Sequence, residues 1–150
     1  MRYFIPTKLV KVSGNSMLPN LASGQILVVD PRAYLSQNPH RGDIVVFPNP
    51  LNKGMDDIKR IVGLPGEYIC IRDDNVFVND ILLEERYLKK PSTPITYEPR
   101  QWVLEENQYI VLGDNRLCSY DSRKFWSIQK EAIKGKAWLR VWPPRKWSFI

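Results

Sequence analysis

The sequence predicts a mostly-β fold: antiparallel sheets, partly barrel-like, with one or two short helices, in a single domain over residues 1–150. Three observations lead there. Short apolar or alternating runs recur along the chain, separated by Pro, Gly, Asn and Asp clusters, which is how strands and turns read in a sequence. The 12 prolines and 8 glycines are scattered, so no stretch has the composition of a domain linker. Only two stretches have helical character, and both are too short to serve as the crossover helices that a parallel sheet requires.

In chain order, strands are expected at Gln25–Val29, Ile44–Phe47, Ile58–Val62, Tyr68–Arg72, Val76–Val78 and Tyr109–Leu112. Helical turns are expected at Pro31–Leu35 and Ser127–Ile133. Leu88 to Arg100 contains Pro91, Pro94 and Pro99 and lacks periodicity, so it reads as a surface excursion. Near the carboxyl end, Trp138, Trp142, Trp147, Phe149 and Ile150 accompany Arg140, Arg145 and Lys146. That mixture suits either core aromatics with a loose tail or peripheral contact with a headgroup layer.

Hydrophobic residues make up 43% of the chain and charged residues 25%, the balance of a folded domain. A chain of this length buries roughly 68–70% of its unfolded surface. The formal charge of +6 is spread from Arg2 to Lys146, with no basic helix, zinc finger or aromatic RNA-binding signature. Nucleic acid is therefore not an expected partner, while an anionic membrane surface is compatible. Cys70 and Cys118 stand alone, and with one histidine they form no metal-ligand pattern. One disulfide or two free thiols fit equally. No apolar run approaches the about 18 residues needed to span a bilayer.

The sole histidine, His40, lies between Pro39 and Arg41 before a Gly42-Asp43 turn, so a Ser-His-Asp triad has only a loop histidine to draw on. Hydrolysis by a serine would use another base, and lysine is the known substitute. Ser16 sits in Ser13-Gly14-Asn15-Ser16-Met17-Leu18-Pro19, a loop suited to holding a hydroxyl rigidly and equally to a plain turn. Lys59, in Asp57-Ile58-Lys59-Arg60-Ile61-Val62, shares one strand face with Ile61 and leaves Arg60 on the other. One of these cations must then point inward. A lysine at its reference pKa is neutral only about once in 2,500 molecules at neutral pH, so a basic role requires desolvation; an edge-blunting cation pair is the alternative. Gly113 to Arg123 packs three hydroxyls, two carboxylates and two guanidiniums into eleven positions, the density of an ordered polar network or of a solvated turn.

Taken in order, Ser13–Leu21, Gly42–Phe47, Lys59–Glu67 and Gly113–Arg123 resemble the characteristic boxes of the type I signal peptidase family. The resemblance runs from about Val10 to Pro143, with Val76-Phe77-Val78-Asn79 and Lys134-Gly135-Lys136-Ala137 in the expected intervals. It implies a monomeric serine endopeptidase, without metal or cofactor, that cleaves leader peptides from preproteins after small residues of the Ala-x-Ala type through an acyl-enzyme. By position, Ser16 matches the nucleophile, Lys59 the base, and Ser119 the hydroxyl that orients the lysine amine. Asp121 with Arg123, and Arg60 with Asp114, match supporting ion pairs. Val12, Gly14, Met17, Leu21 and Ile58 fall where the family binds its substrate's small side chains.

Several positions depart from the family pattern. Gly14 stands where some members carry a serine that supplies a second oxyanion donor. Asn20 replaces threonine, Gln25 aspartate and Trp126 glycine. The resemblance also implies a membrane anchor shortly before the nucleophile and a site on the extracytoplasmic face, whereas only fifteen residues precede Ser16. The alternatives are a cytoplasmic maturation protease for one dedicated partner, of the nickel-type superoxide dismutase maturation kind, and an inactive peptide-binding relative.

Overall fold

The computed structural model describes residues 7–89 and 98–150. Twelve strands appear in the order β1 (Lys8–Lys11), β2 (Ile26–Asp30), β3 (Ile44–Pro48), β4 (Asp56–Gly63), β5 (Tyr68–Arg72), β6 (Asn75–Val78), β7 (Ile81–Leu82), β8 (Arg100–Val103), β9 (Gln108–Leu112), β10 (Ile128–Gln129), β11 (Gly135–Trp142) and β12 (Ser148–Phe149). The one α-helix among the described residues, α1, spans Ser122–Phe125. The larger sheet runs β1-β2-β11-β3-β4-β9-β10, with β12 paired to β11, and the smaller runs β7-β6-β5-β8. Every pairing is antiparallel. The fold is mostly β as expected, and its sheets stay open instead of closing into a barrel.

Strand β3 explains how the larger sheet is sandwiched. Ile44, Val45, Val46 and Phe47 are all buried, so apolar material covers both of its faces. Ile44 and Val46 join Val12, Met17, Leu21 and Ile58 on one side. Val45 and Phe47 join Ile61, Tyr109, Val111 and Ile128 on the other. The smaller sheet packs a third cluster, with Ile69, Ile71, Val76 and Trp102 set against Val62 and Ile110 of β4 and β9. Each such side chain contributes about 1.5–3 kcal/mol relative to remaining exposed.

Several sequence expectations are corrected. Residues 31–35 form turns and no helix. Ser127–Ile133 becomes the short strand β10 followed by a 3-10 turn at Lys130–Ala132. The helix instead occupies Ser122–Phe125, where the Asp121 side chain accepts from the Arg123 N–H and caps it. Of the Leu88–Arg100 excursion, residues 90–97 lie outside the described residues, and Arg100 opens β8. Both cysteines are free, Cys70 buried and Cys118 exposed. Among the described residues no helix is long and apolar enough to cross a membrane.

Candidate active site

Three segments converge around Ser16. Its own turn is held by the Leu18 N–H on Asn15 O at 3.2 Å and the Leu21 N–H on Met17 O at 2.8 Å, while Met17 anchors it in the core at 2% exposure. Strand β4 supplies Lys59, which lies across from Val45 in register and on the same face as Ile61. The loop after β9 supplies Gly113 to Asp121 and is tied to the Ser16 turn through Asn115. The Asn115 N–H donates to Ser16 O at 2.9 Å, and its side-chain amide donates to Asn15 O at 3.1 Å.

Within this frame the Lys59 Nζ lies 3.1 Å from the Ser16 Oγ and 3.3 Å from Ile58 O. Lys59 is 4% exposed. Burial pushes its amine below the ordinary 10.5, and the carboxylates of Asp57 and Asp121 offset only part of that. Depressed basicity is what makes a neutral, proton-accepting amine available beside a hydroxyl.

Ser119 enters through close packing. A Cβ on Gly113 would clash with the Ser119 Oγ and lie 2.5 Å from its Cβ and 2.6 Å from Ser16 O, so the Ser16 turn and the Ser119 loop meet at a point where only glycine fits. The Ser119 hydroxyl oxygen is buried and makes no well-formed hydrogen bond, although it sits close enough to Asp121 to help hold that carboxylate in its charged form. Burial acts to raise Asp121, but the Arg123 guanidinium, with help from Ser119 and the Gly113 N–H, holds it below its ordinary 3.8. The pair is two-pronged, Arg123 Nε to Oδ1 at 2.8 Å and Nη2 to Oδ2 at 2.9 Å, while the Gly113 N–H donates to Oδ2 at 2.9 Å.

On the other face of β4, Arg60 grips Asp114 through Nε at 2.9 Å and Nη2 at 2.7 Å, and donates from Nη1 to Gly42 O at 2.9 Å. Its guanidinium also lies 4.1 Å from the centre of the Tyr87 ring. Lys59 and Arg60 thus use the two faces of one strand, one amine reaching Ser16 and one guanidinium holding Asp114.

A family model described as signal peptidase, peptidase S26, matches residues 1–142. The chain belongs to this family. It is 38% identical over 138 residues to a probable signal peptidase I-2 of Synechocystis, covering 88% of this chain and 62% of the relative. It is 37% identical over 161 residues to signal peptidase I of Bacillus caldolyticus, covering 99% of this chain and 86% of the relative. The crystal structure of a signal peptidase I from Enterococcus faecalis superposes with a TM-score of 0.59 at 34% identity, covering 67% of this chain and 97% of that one.

For a peptidase of this family, the remaining expected positions fall as follows. Val12, Met17, Leu21 and Ile58 share one buried apolar cluster, at 3, 2, 0 and 9% exposure. Gly14 is exposed with φ +77°, a backbone region costly for a side chain. His40 is a turn residue: its N–H donates to Asp43 Oδ2 at 3.0 Å and its ring is 70% exposed.

Two departures acquire local reasons. Asn20 donates to both Tyr87 O and Asp114 Oδ2 at 2.8 Å, joining the Arg60–Asp114 pair. Gln25, 5% exposed, accepts from the Ala22 N–H at 3.1 Å. Trp126 sits at φ +80°, where a bulky residue is strained, and meets Trp102 edge-on at 5.8 Å. Sequence reasoning missed Asn115, the Gly113 contact and Glu85, whose carboxylate pairs with buried Arg116. A lone glycine or asparagine in a polar loop carries no signal of what it approaches across the fold.

Proposed function

We propose that this chain is a serine endopeptidase that removes leader peptides after small residues, with Ser16 as nucleophile and Lys59 as general base. The observation that carries the reading is a buried lysine amine of depressed basicity, 3.1 Å from a serine hydroxyl. Neutral Lys59 accepts the Ser16 hydroxyl proton as Oγ bonds to the scissile carbonyl carbon. Collapse of the tetrahedral intermediate breaks the C–N bond, and the lysine returns the proton to the departing amine. Water then hydrolyses the acyl-enzyme by the same route. The Ser16 N–H bonds no acceptor among the described residues and is the natural oxyanion donor. Ser119, packed at Gly113 beside the Ser16 turn, is assigned the role of orienting the lysine amine during the reaction, and Asp121–Arg123 and Arg60–Asp114 hold the two flanking segments. Serine–lysine chemistry needs neither metal nor cofactor.

A preprotein is the partner, and the extracytoplasmic membrane face is the place of work. Trp142, Trp147 and Phe149 are 52, 66 and 79% exposed beside Arg145 and Lys146, which suits shallow contact with anionic headgroups. Incubation with a peptide bearing an Ala-x-Ala site should give one cut after the second alanine, and none with Ser16→Ala. Equal cleavage by both proteins would sink the assignment.

A further inference from the structure

A cleft of about 990 Å³ lies beside the dyad and not over it. One wall is Leu18 and Pro19, directly after the nucleophile, and the other is Leu82, Leu83 and Leu88 of the smaller sheet and its following segment, with Leu117 at the rim. Leu82 and Leu117 are 55% and 62% exposed, although both are large apolar side chains. Three ion pairs stand around them, and Asp73, Asp74 and Lys89 complete the charged part of the lining. Glu85 pairs with Arg116 in the floor, Asp114 with Arg60, and Glu84 with Arg86. A ligand entering the cleft meets the leucines of both walls.

Among the described residues strand β1 is an edge of the larger sheet, mostly exposed, and leads into the Ser16 turn from its amino side. An extended leader that adds to that edge parallel to β1 reaches Ser16 from there. The chain beyond the scissile bond then leaves over Leu18 and Pro19, into the leucine cleft. Asn115, whose N–H is bonded to Ser16 O, sits in the same cleft lining, so the cleft and the nucleophile share one rigid support.

We propose that this cleft is the subsite for the first residues of the released protein and that it selects apolar side chains there. The inference rests on the leader-peptidase reading, but its test does not require turnover. Fluorescein-labelled peptides are titrated against the full chain by anisotropy: a released-side peptide rich in leucine, its serine counterpart, and a leader-side peptide ending in Ala-x-Ala. The leucine peptide should bind roughly tenfold or more tighter than the serine peptide, the discrimination an apolar pocket provides. Leu82→Ser and Leu117→Ser should each erase most of that preference, while the leader-side peptide binds all three proteins alike. Both side chains are more than half exposed, so unchanged melting curves show that folding is intact.

Equal binding of the leucine and serine peptides to the wild-type chain overturns the proposal. So does a loss confined to the leader-side peptide, or variants that weaken only association with phosphatidylglycerol vesicles, which would mean that the cleft faces lipid. Failure of Ala-x-Ala cleavage alongside a preserved leucine preference would count against the peptidase reading and not against the cleft.

Discussion

Gly113→Ala probes how closely the Ser16 turn and the Ser119 loop are pressed together. The added methyl would sit 2.6 Å from Ser16 O, against ordinary contact at 3.4 Å, so that carbonyl must retreat by about 0.8 Å. Ser119 cannot relieve the crowding by rotation alone, because its Cβ, fixed to the backbone, is itself only 2.5 Å away. Overpacking of this kind costs about 1–3 kcal/mol. For a chain of this size that lowers Tm by roughly 2–12 °C. Misplacing a nucleophile by such a distance costs on the order of 10²-fold in rate. The assay is kcat/KM on an Ala-x-Ala peptide together with a thermal melt. Ser119→Gly in the same background removes the Ser119 contacts and should recover stability without recovering activity. A Gly113→Ala protein with unchanged Tm and near wild-type kcat/KM would refute the close packing.

Asn115→Ala removes the amide held by Asn15 O but keeps the backbone bond to Ser16 O, so kcat should fall roughly tenfold with KM little changed, a loss of positioning that steady-state kinetics separates from a loss of binding. Asp121→Asn should destabilise the protein by about 1–3 kcal/mol at neutral pH, since it leaves the Arg123 charge half-matched. Because the folded Asp121 carboxyl lies below its ordinary 3.8, its contribution is present above that pH and fades as pH falls through the folded value. The gap between wild type and variant, followed by denaturant titration, should therefore shrink below pH 3.8; a constant gap contradicts the assigned ion pair.

Strands with short, dense apolar runs were legible in the sequence: Tyr68–Arg72 matches β5 from end to end, and Ile44–Phe47 falls within β3. The eight-residue β11 was not legible, because Lys136 and Arg140 interrupt its apolar residues and register shifts at Ala137/Leu139 and Arg140/Trp142 break the period of two. Helix α1 is four residues long, too short to show any periodicity, and rests on its Asp121 cap. At the site, Ser16, Lys59 and Ser119 were visible only through the order of the boxes around them. The alternation of β4 did anticipate that Lys59 and Arg60 face opposite ways. Asn115, Gly113 and Glu85 act through contacts with residues distant in sequence, which a linear reading does not contain.

The account turns on Lys59 acting as the base for Ser16, and the pH dependence of kcat/KM on an Ala-x-Ala peptide tests that most directly. Wild type should gain activity with pH along a limb whose midpoint lies below 10.5, as the buried amine loses its proton. Lys59→Ala should lose roughly 10²–10⁴ in rate across the whole range, the usual worth of a general base. Lys59→Ala retaining the wild-type profile at neutral pH would contradict it.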